Sequence, residues 1–276
     1  MYRSTWFLLF IALSFAMSGA TAQKSSLPEY LNDWIKGVPP KMGSDSWAVA
    51  NASEYEWQVE MKSGRPAAHL RNKKAEEASA LPPLIKRTRG AHPEPGDIHT
   101  YKVVDGWLIA FNAADGGGSL WWYGEDGRQS YKVSNEHIVQ FLPNNRALFA
   151  LEGQASFNGS RGQIVQLRQN GQGQWMSSQF VDLGHAPDVG MVDGNGDFIV
   201  STTETLVRIH PDKTETVLLP KVFWKGLSPH SIATSPIGDI YLGMRQGVAI
   251  VFPLNRAYQA NWLLPNKDFV RARAKN

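Results

Sequence analysis

The sequence predicts an all-β fold, a β-propeller of four to five four-stranded blades preceded by a short N-terminal helical segment. Three observations support it. An apolar strand, a Gly-containing turn and a second apolar strand recur four times. The copies start 38 to 51 residues apart, a period typical of propeller blades. Each copy is followed by two more strand-like segments, which completes four strands. We favour five blades over four, and a β-sandwich is the alternative fold.

Two copies of the repeat align without gaps. Residues 187–200 overlay on 229–242, with the Pro, the Gly-Asp turn and the following apolar strand in register. Residues 137–149 fit the same frame, and residues 99–110 fit when their turn is two residues shorter. The four repeats predict strands at 101–104, 107–112, 120–123, 130–133, 138–142, 147–151, 163–167, 175–181, 189–192, 198–201, 206–209, 214–218, 231–234, 240–243, 248–252 and 260–264.

The chain before the repeats has a different pattern. Ser26 to Lys36 is predicted as a short amphipathic helix with an apolar stripe. Strand-like pieces follow at 47–50, 56–61 and 67–70, then a helical stretch at 72–80 and a Pro-rich basic connection at 81–97. Residues 47–70 are a candidate degenerate blade. The predicted organisation is therefore a signal peptide at 1–22, an N-terminal segment at 23–98, propeller blades at 99–266 and a frayed basic tail at 267–276.

The first residues have the features of a secretory signal peptide. Arg3 is the charge of its n-region, Trp6 to Met17 is apolar, and Ala20 to Ala22 supplies small residues before a cleavage site. The apolar run is short for a membrane span of about 20 residues, and no later stretch predicts a transmembrane segment. We therefore expect a periplasmic or secreted protein, cleaved near Ala22.

Composition excludes several classes of function. The chain has no cysteine, which rules out disulfides, cysteine-ligated zinc and thiol catalysis. The formal net charge is +3, and loss of Arg3 with the signal peptide leaves +2. This charge is too small to argue for nucleic acid as a partner.

The overlay places four polar residues at one position, the start of the first strand of each repeat. That strand lines the central channel of a propeller, so the four side chains are expected to face one axis. Imidazoles and a carboxylate suit Zn²⁺, Fe²⁺ or Mn²⁺. A water-filled polar channel and acid–base chemistry without metal are the alternatives. The candidate metal ligands are His99, His137, Asp188 and His230.

Two surfaces are candidates for partner binding. The basic stretch at 62–89 can meet an acidic protein or an anionic envelope surface, and an ordinary solvated surface is the alternative. Trp121 and Trp122 are adjacent on a strand and point to opposite faces, so one packs between blades while the other can anchor a partner. The candidate partner-binding residues are Lys73, Lys74, Arg87, Arg89, Trp121 and Trp122.

The segment from Pro229 to Ala233, followed by Pro236 and by 238–242, resembles repeats of streptogramin lyase and NHL-type propellers. This resemblance implies a propeller with a usable central site. In the lyases, the matching Pro-His-x-Ile element carries a catalytic His, with an acidic residue fourteen positions later and a bound magnesium ion. His230 matches that His, but the later position is Met244, which has no acid, base or metal-ligand chemistry.

No complete catalytic set is found, and there is no nucleophile elbow, P-loop or dinucleotide fingerprint. The sequence therefore favours a non-catalytic binding module over an enzyme. Its partner is a protein, for instance an exported toxin that it neutralises, or a small molecule at the propeller face. The alternative is a metal-dependent lyase or lactone hydrolase with its site at the channel mouth. A third class is a cell-envelope scaffold held by residues 62–89.

Overall fold

Five antiparallel sheets make up most of the described chain. The computed structural model describes residues 29–73, 76, 97–113, 117–145, 147–156 and 159–266. Four of the sheets are meanders of four consecutive strands, and one sheet from the N-terminal segment has three strands. Consecutive meanders of this kind are the blades of a propeller, and the predicted fold class is confirmed.

The sheets are numbered 1 to 5 along the chain. Sheet 1 has the order β1 (Glu29–Tyr30), β4 (Arg65–Leu70), β3 (Trp57–Lys62). Sheet 2 contains β5 (Asp97–Val103), β6 (Gly106–Ala113), β7 (Gly117–Gly124) and β8 (Ser130–Ser134). Sheet 3 contains β9 (Ile138–Asn144), β10 (Ala147–Ser156), β11 (Gly159–Gln169) and β12 (Trp175–Asp182). Sheet 4 contains β13 (Pro187–Val192), β14 (Phe198–Thr202), β15 (Leu206–Ile209) and β16 (Glu215–Leu219).

Sheet 5 joins the two ends of the described chain. It contains β17 (Ser231–Thr234), β18 (Ile240–Gly243), β19 (Val248–Leu254) and β20 (Ala257–Leu264), followed by β2 (Ile35–Gly37) at its outer edge. Ile35 pairs with Leu264 and Gly37 pairs with Trp262. Each of the sixteen strands predicted from the repeats overlaps an observed strand of sheets 2 to 5.

Two predictions for the N-terminal segment are wrong. The described part of the helix predicted at Ser26 to Lys36 is β1, a single 3-10 turn (Leu31–Asp33) and β2. Its backbone pairs instead with β4 and β20, partners distant in sequence, and the apolar side chains Leu31 and Trp34 pack in the core cluster between sheets 1 and 5. The strand predicted at 47–50 lies inside helix α1 (Asp45–Asn51), because the Ser44 hydroxyl accepts a hydrogen bond from the Trp47 N–H and caps the helix.

Several other predictions concern residues outside the described ranges. They are the signal peptide at 1–22, most of the helix at 72–80 and of the connection at 81–97, and the tail at 267–276. Within the described residues, no helix is long and apolar enough to cross a membrane.

The core consists of apolar clusters between neighbouring sheets. Leu120 of sheet 2 packs with Ile138 of sheet 3, and Leu151 of sheet 3 packs with Val207 of sheet 4. Further clusters join sheet 4 to sheet 5 and sheet 5 to sheet 1. Each large apolar side chain buried in this way contributes about 1.5–3 kcal/mol. The three-stranded sheet 1 therefore packs against sheet 5 as a blade of the propeller does.

The innermost strands pack side by side in the order β5, β9, β13, β17, β3. A cavity of about 420 Å³ lies between the last four of them. Two side chains link these strands across the gap between sheets. Gln140 Oε1 accepts a hydrogen bond from the Gly190 N–H at 2.9 Å, and Ser231 Oγ accepts one from the Val59 N–H at 3.0 Å.

Candidate functional site at the channel mouth

The four predicted ligands all lie at one end of the channel, where the innermost strands begin. His137 and His230 immediately precede β9 and β17, while His99 is the third residue of β5 and Asp188 the second residue of β13. Contacts between sheets at this end support the arrangement, since Asn112 of sheet 2 donates a hydrogen bond to the Ile138 carbonyl. We call this end the channel mouth; it comprises the residues Glu56, His99, Glu136, His137, Glu152, Asp188 and His230.

The mouth residues are not gathered into a metal centre. Among the described residues, which include all four predicted ligands, no group of three or more His, Asp or Glu side chains is arranged to hold a metal ion. The four predicted ligands thus lie at the same end of the channel without forming such a group. The prediction of a bound Zn²⁺, Fe²⁺ or Mn²⁺ remains a prediction.

His230 has a defined tautomer. Its Nδ1 lies 3.0 Å from the Ser228 carbonyl oxygen, which can only accept, so Nδ1 carries the hydrogen. Burial is the main cause that lowers the pKa of His230, and the nearby Arg71 adds to it, so the neutral ring is favoured. The Nε2 lone pair is then a hydrogen-bond acceptor. Nε2 is buried and has no hydrogen-bond partner among the described residues.

His137 has a matching feature in sheet 3. Its Nε2 is also buried without a hydrogen-bond partner in the described part of the chain. Its carbonyl accepts a hydrogen bond from the Gly153 N–H at 3.0 Å, which fixes the backbone beside β10. Gly118 of sheet 2 packs against the same backbone, and a Cβ there would lie 2.5 Å from the Glu136 carbonyl oxygen. Only glycine permits this approach.

Glu56 is the mouth residue of sheet 1, and the sequence overlay did not identify it. Its buried carboxylate lies 2.8 Å from Lys73 Nζ, 3.2 Å from Arg71 Nη1 and 3.5 Å from Arg245 Nε. Burial alone would raise the pKa of Glu56, but the hydrogen bond from Lys73 and the surrounding positive charges lower it. The negative charge of Glu56 is therefore balanced by basic residues of the same chain.

The carboxyl pair Glu136–Glu152 lies beside His137. Glu152 is buried, hydrogen-bonds to Glu136, and accepts a hydrogen bond from Gln163 Nε2 at 3.0 Å. Burial and the shared hydrogen bond with Glu136 raise the pKa of Glu152 to about 8, against the opposing effects of Gln163 and Arg161. The neutral form of Glu152 is therefore favoured beside the Glu136 carboxyl group.

Asp188 is the corresponding residue of sheet 4. Burial raises the pKa of Asp188 to about 7, and a long hydrogen bond from Ser201 Oγ, at 3.5 Å, opposes this only in part. The same Ser201 oxygen accepts a hydrogen bond from Trp224 Nε1 at 3.0 Å. His99, in sheet 2, is half-buried, and burial lowers the pKa of His99 despite the opposing charge of Asp97.

The predicted partner-binding residues are not assembled into one surface. Lys73 is engaged with Glu56, while Lys74, Arg87 and Arg89 lie outside the described residues. Trp122 packs against the cluster between sheets 2 and 3 and stacks on Tyr131, as predicted for one residue of the pair. Trp121 is half-buried, and Lys132 Nζ lies 5.4 Å above its ring. The binding role of all six residues remains a prediction.

Sequence reasoning missed the acidic residues of the mouth for identifiable reasons. Glu56 is the first residue of the strand predicted at 56–61, but the repeat pattern begins only at His99 and does not include it. Glu136 stands next to the predicted ligand His137. No sequence pattern singles out Glu152, because its position beside Glu136 depends on a β-bulge in β10. After this bulge the register is shifted, and Glu152 pairs with Ile138.

Comparison with known proteins gives resemblances of low identity. The sequence matches no protein-family model and no curated protein. Two structures of virginiamycin B lyase from Staphylococcus aureus, a catalytically inactive variant with quinupristin and a selenomethionine-substituted form, have TM-scores of 0.40 and 0.39. They share 14% and 15% identity with this chain over 64% of its length, and the chain spans 58% of each lyase.

A third structure is described as a gluconolactonase. It has a TM-score of 0.36 and 13% identity, and the match covers 63% of this chain and 71% of that one. Structures of a streptogramin lyase, the kind of propeller that residues 229–242 resemble, are among those similar to this chain.

Proposed function

We propose that this chain is a non-catalytic β-propeller binding module whose ligand docks at the channel mouth. The observation that carries the proposal is the pair of buried imidazole nitrogens, Nε2 of His137 and Nε2 of His230, without partners among the described residues. Buried polar atoms in native proteins are almost always hydrogen-bonded, and leaving one unpaired costs about 1–3 kcal/mol. A ligand that hydrogen-bonds to these nitrogens removes that cost.

The cavity beside His230 supports this proposal. Its volume of about 420 Å³ lies within the range of roughly 300–1,000 Å³ that is typical of ligand sites. Gln58, Gln140 and Ser231 supply polar groups on its wall, and Val189 and Ile232 supply apolar ones. This space suits a small molecule or a side chain that a protein partner inserts into the channel.

The chemistry of the mouth favours binding over catalysis. Met244, which takes the place of the lyases' acidic residue, is fully buried in the core between sheets 4 and 5. The carboxylate of Glu56 is held by three cations and is therefore poorly placed to exchange protons with a substrate. Met244 and Glu56 therefore do not supply the acid–base pair that a metal-dependent lyase or lactone hydrolase would need at these two positions.

Export is part of the proposal. The signal peptide predicted at 1–22 supports export to the periplasm or the medium, and the proposed partner is therefore an exported protein or an extracellular small molecule. Attachment to an anionic envelope surface through residues 62–89 is a separate possibility, which fractionation at low and high salt tests.

A ligand screen with matched variants tests the binding site. The purified protein is titrated with a panel of cationic, neutral and anionic small molecules, and binding is followed by the thermal midpoint and by calorimetry. We expect a ligand that stabilises the wild type but not His137→Phe or His230→Phe. His210→Phe is the control, because His210 follows β15 at the far end of sheet 4, away from the mouth.

Two results would contradict the proposal. Ligands that stabilise the wild type and both mouth variants equally would place the binding site elsewhere. Turnover of a lactone or of a depsipeptide, lost in His230→Phe and in metal-free buffer, would favour the metal-dependent enzyme instead.

A further inference from the structure

We propose that the chain has a second binding site, between sheets 1 and 5, which takes a small carboxylate with an apolar body. The site is a cavity of about 350 Å³, and no residue of the channel mouth lines it. We call this space the outer cavity; its wall includes Trp34, Lys36, Tyr241, Phe252 and Asn261. The inference goes beyond the proposed function and does not depend on it.

Strand register in sheet 5 builds one wall of the outer cavity. Tyr241 of β18 pairs with Ile250 of β19, which in turn pairs with Asn261 of β20. Directly opposed residues of antiparallel strands project to the same face, so these three side chains form a row. Leu263 lies two residues after Asn261 on the same face and pairs with Lys36 of β2. Tyr241 and Leu263 belong to the cluster between sheets 1 and 5, so this face is the one turned toward sheet 1.

The narrowness of sheet 1 explains why space remains on this face. Sheet 1 has three strands, and its outer strand β1 is two residues long, whereas sheet 5 has five strands. The outer part of the face is lined instead by the 3-10 turn at Leu31–Asp33, by Trp34 and by Pro66 of β4. The resulting volume lies within the range of roughly 300–1,000 Å³ that is typical of ligand sites.

Trp34 supplies an unused hydrogen-bond donor in this wall. Its side chain is only 7% exposed, and its ring packs edge-on against Trp57 with the centroids 4.7 Å apart. Nε1 of Trp34 is buried and has no hydrogen-bond partner in the part of the chain that the structure describes. An indole N–H can only donate, so the group that satisfies it must be an acceptor. Because an unpaired buried donor is unfavourable, an acceptor oxygen from a ligand gains affinity there.

Charge and shape narrow the acceptor to a carboxylate. Lys36 is exposed on β2, and its Nζ forms no ion pair with any described residue. None of the described residues that line the outer cavity is acidic. An anionic acceptor therefore meets one positive charge without repulsion, and its hydrogen bonds are charge-assisted. Ile250 and Phe252 require an apolar body next to the charged group, which an inorganic anion lacks.

The test uses three probes that share an aromatic body and differ in charge: the anion phenylpropionate, the neutral phenylpropionamide and the cation phenylpropylammonium. Binding to the purified protein is followed by the indole N–H signals in ¹⁵N-resolved NMR, a readout suited to weak ligands. The signal of Trp34 is assigned by its absence in Trp34→Phe. We expect phenylpropionate to move this signal and to bind about tenfold more tightly than phenylpropionamide, the difference expected for a charge-assisted hydrogen bond. Phenylpropylammonium should leave the signal unchanged.

Variants locate the recognition of the carboxylate. Lys36→Met keeps the apolar stem and removes the charge, so phenylpropionate binding should weaken about tenfold while phenylpropionamide binding stays the same. Lys132→Met is the matched control, because Lys132 is an exposed strand residue of sheet 2. Trp34→Phe removes the N–H and should also weaken phenylpropionate binding, with its thermal midpoint as the check of folding. If that variant does not fold, Lys36→Met still decides the question, since Lys36 is exposed.

Three results would overturn this inference. The carboxylate class is wrong if phenylpropionamide binds as tightly as phenylpropionate, or if Lys36→Met binds phenylpropionate as the wild type does. The outer cavity is not a binding site if no probe moves the Trp34 signal. Loss of phenylpropionate binding in His230→Phe, with Lys36→Met unaffected, would move the anion to the channel mouth. The proposal for the mouth is tested separately by the His137→Phe and His230→Phe variants, so either proposal can fail alone.

Discussion

The hydroxyl oxygen of Ser231 accepts a hydrogen bond from the backbone N–H of Val59 at 3.0 Å, across 172 positions of sequence. Ser231 begins the innermost strand of sheet 5, and Val59 lies in the innermost strand of sheet 1. The bond ties the N-terminal sheet to the last sheet at the wall of the channel. Both residues are buried, so water does not replace the bond if it is lost.

Removal of this bond should destabilise the fold. Ser231→Ala leaves the buried Val59 N–H without an acceptor, and we expect a loss of about 1–3 kcal/mol in the free energy of unfolding. Urea denaturation measures this loss. Ser130→Ala is the control, because Ser130 is exposed on β8, and its effect should stay within about 0.5 kcal/mol. Equal stability of the two variants would show that the Ser231–Val59 bond does not hold the sheets together.

The carboxyl pair Glu136–Glu152 should make stability depend on pH. The pKa of Glu152 in the folded protein is about 8, above its ordinary value of 4.5. The folded state therefore holds a proton that the unfolded chain releases first, so stability is highest below pH 4.5 and falls as pH rises toward 8. Since one pKa unit corresponds to about 1.4 kcal/mol, a fall of at least about 1 kcal/mol between pH 5 and pH 8 is expected.

Glu152→Gln should reduce this dependence of stability on pH, because the glutamine side chain cannot ionise. The variant should be more stable than the wild type at pH 8 and similar to it at pH 4.5, as measured by urea denaturation at each pH. A residual slope of the same sign is expected from Asp188, whose pKa is also raised by burial. In the exposed control Glu125→Gln, the unfolding free energy should depend on pH as it does in the wild type. If Glu152→Gln showed the same pH dependence as this control, Glu152 would already be ionised at neutral pH.

Gly118 should be irreplaceable at the mouth. In Gly118→Ala the new Cβ would lie 2.5 Å from the Glu136 carbonyl oxygen and 2.7 Å from His137 Cα, both backbone atoms. The two sheets must separate to accommodate it, so we expect a loss of about 1–3 kcal/mol and a shift of the His137 ring signals. Gly171→Ala is the matched control, since a Cβ there meets nothing within 4 Å. A Gly118→Ala protein with the stability of that control would rule out the close approach of sheets 2 and 3.

His137→Phe should stabilise the protein while it removes binding. Phenylalanine fills the space of the imidazole and lacks the buried, unpartnered Nε2, so a gain of about 1 kcal/mol is expected in thermal or urea unfolding. His210→Phe should have the opposite effect, because His210 Nδ1 lies 3.0 Å from the buried Asp197 carboxylate. Destabilisation by His137→Phe would indicate that Nε2 has a structural partner and would weaken the case for a ligand there.

The strands of sheets 2 to 5 could be predicted from the sequence because their pairing is local. Each strand pairs with the next one along the chain, so alternating apolar residues and Gly-containing turns such as Gly238–Asp239 specify both the strands and their partners. The same pattern located His99, His137, Asp188 and His230 at one end of the channel. The turns between strands are local in the same way. After β13, for example, the Asp193 carboxylate accepts hydrogen bonds from the backbone N–H groups of Asn195 and Asp197 and closes a tight turn.

The N-terminal segment could not be predicted in the same way, because its partners are distant. The sequence by itself determined the repeat, the strands of sheets 2 to 5 and the equivalent positions of the four predicted ligands, since these depend on neighbours in the chain. Only the tertiary structure decided that β1 and β2 are strands, that Glu56 joins the mouth with Arg71 and Arg245, and that Glu136 meets Glu152. Burial and long-range pairing, which set those contacts and the pKa values that follow, are properties of the assembled sheets.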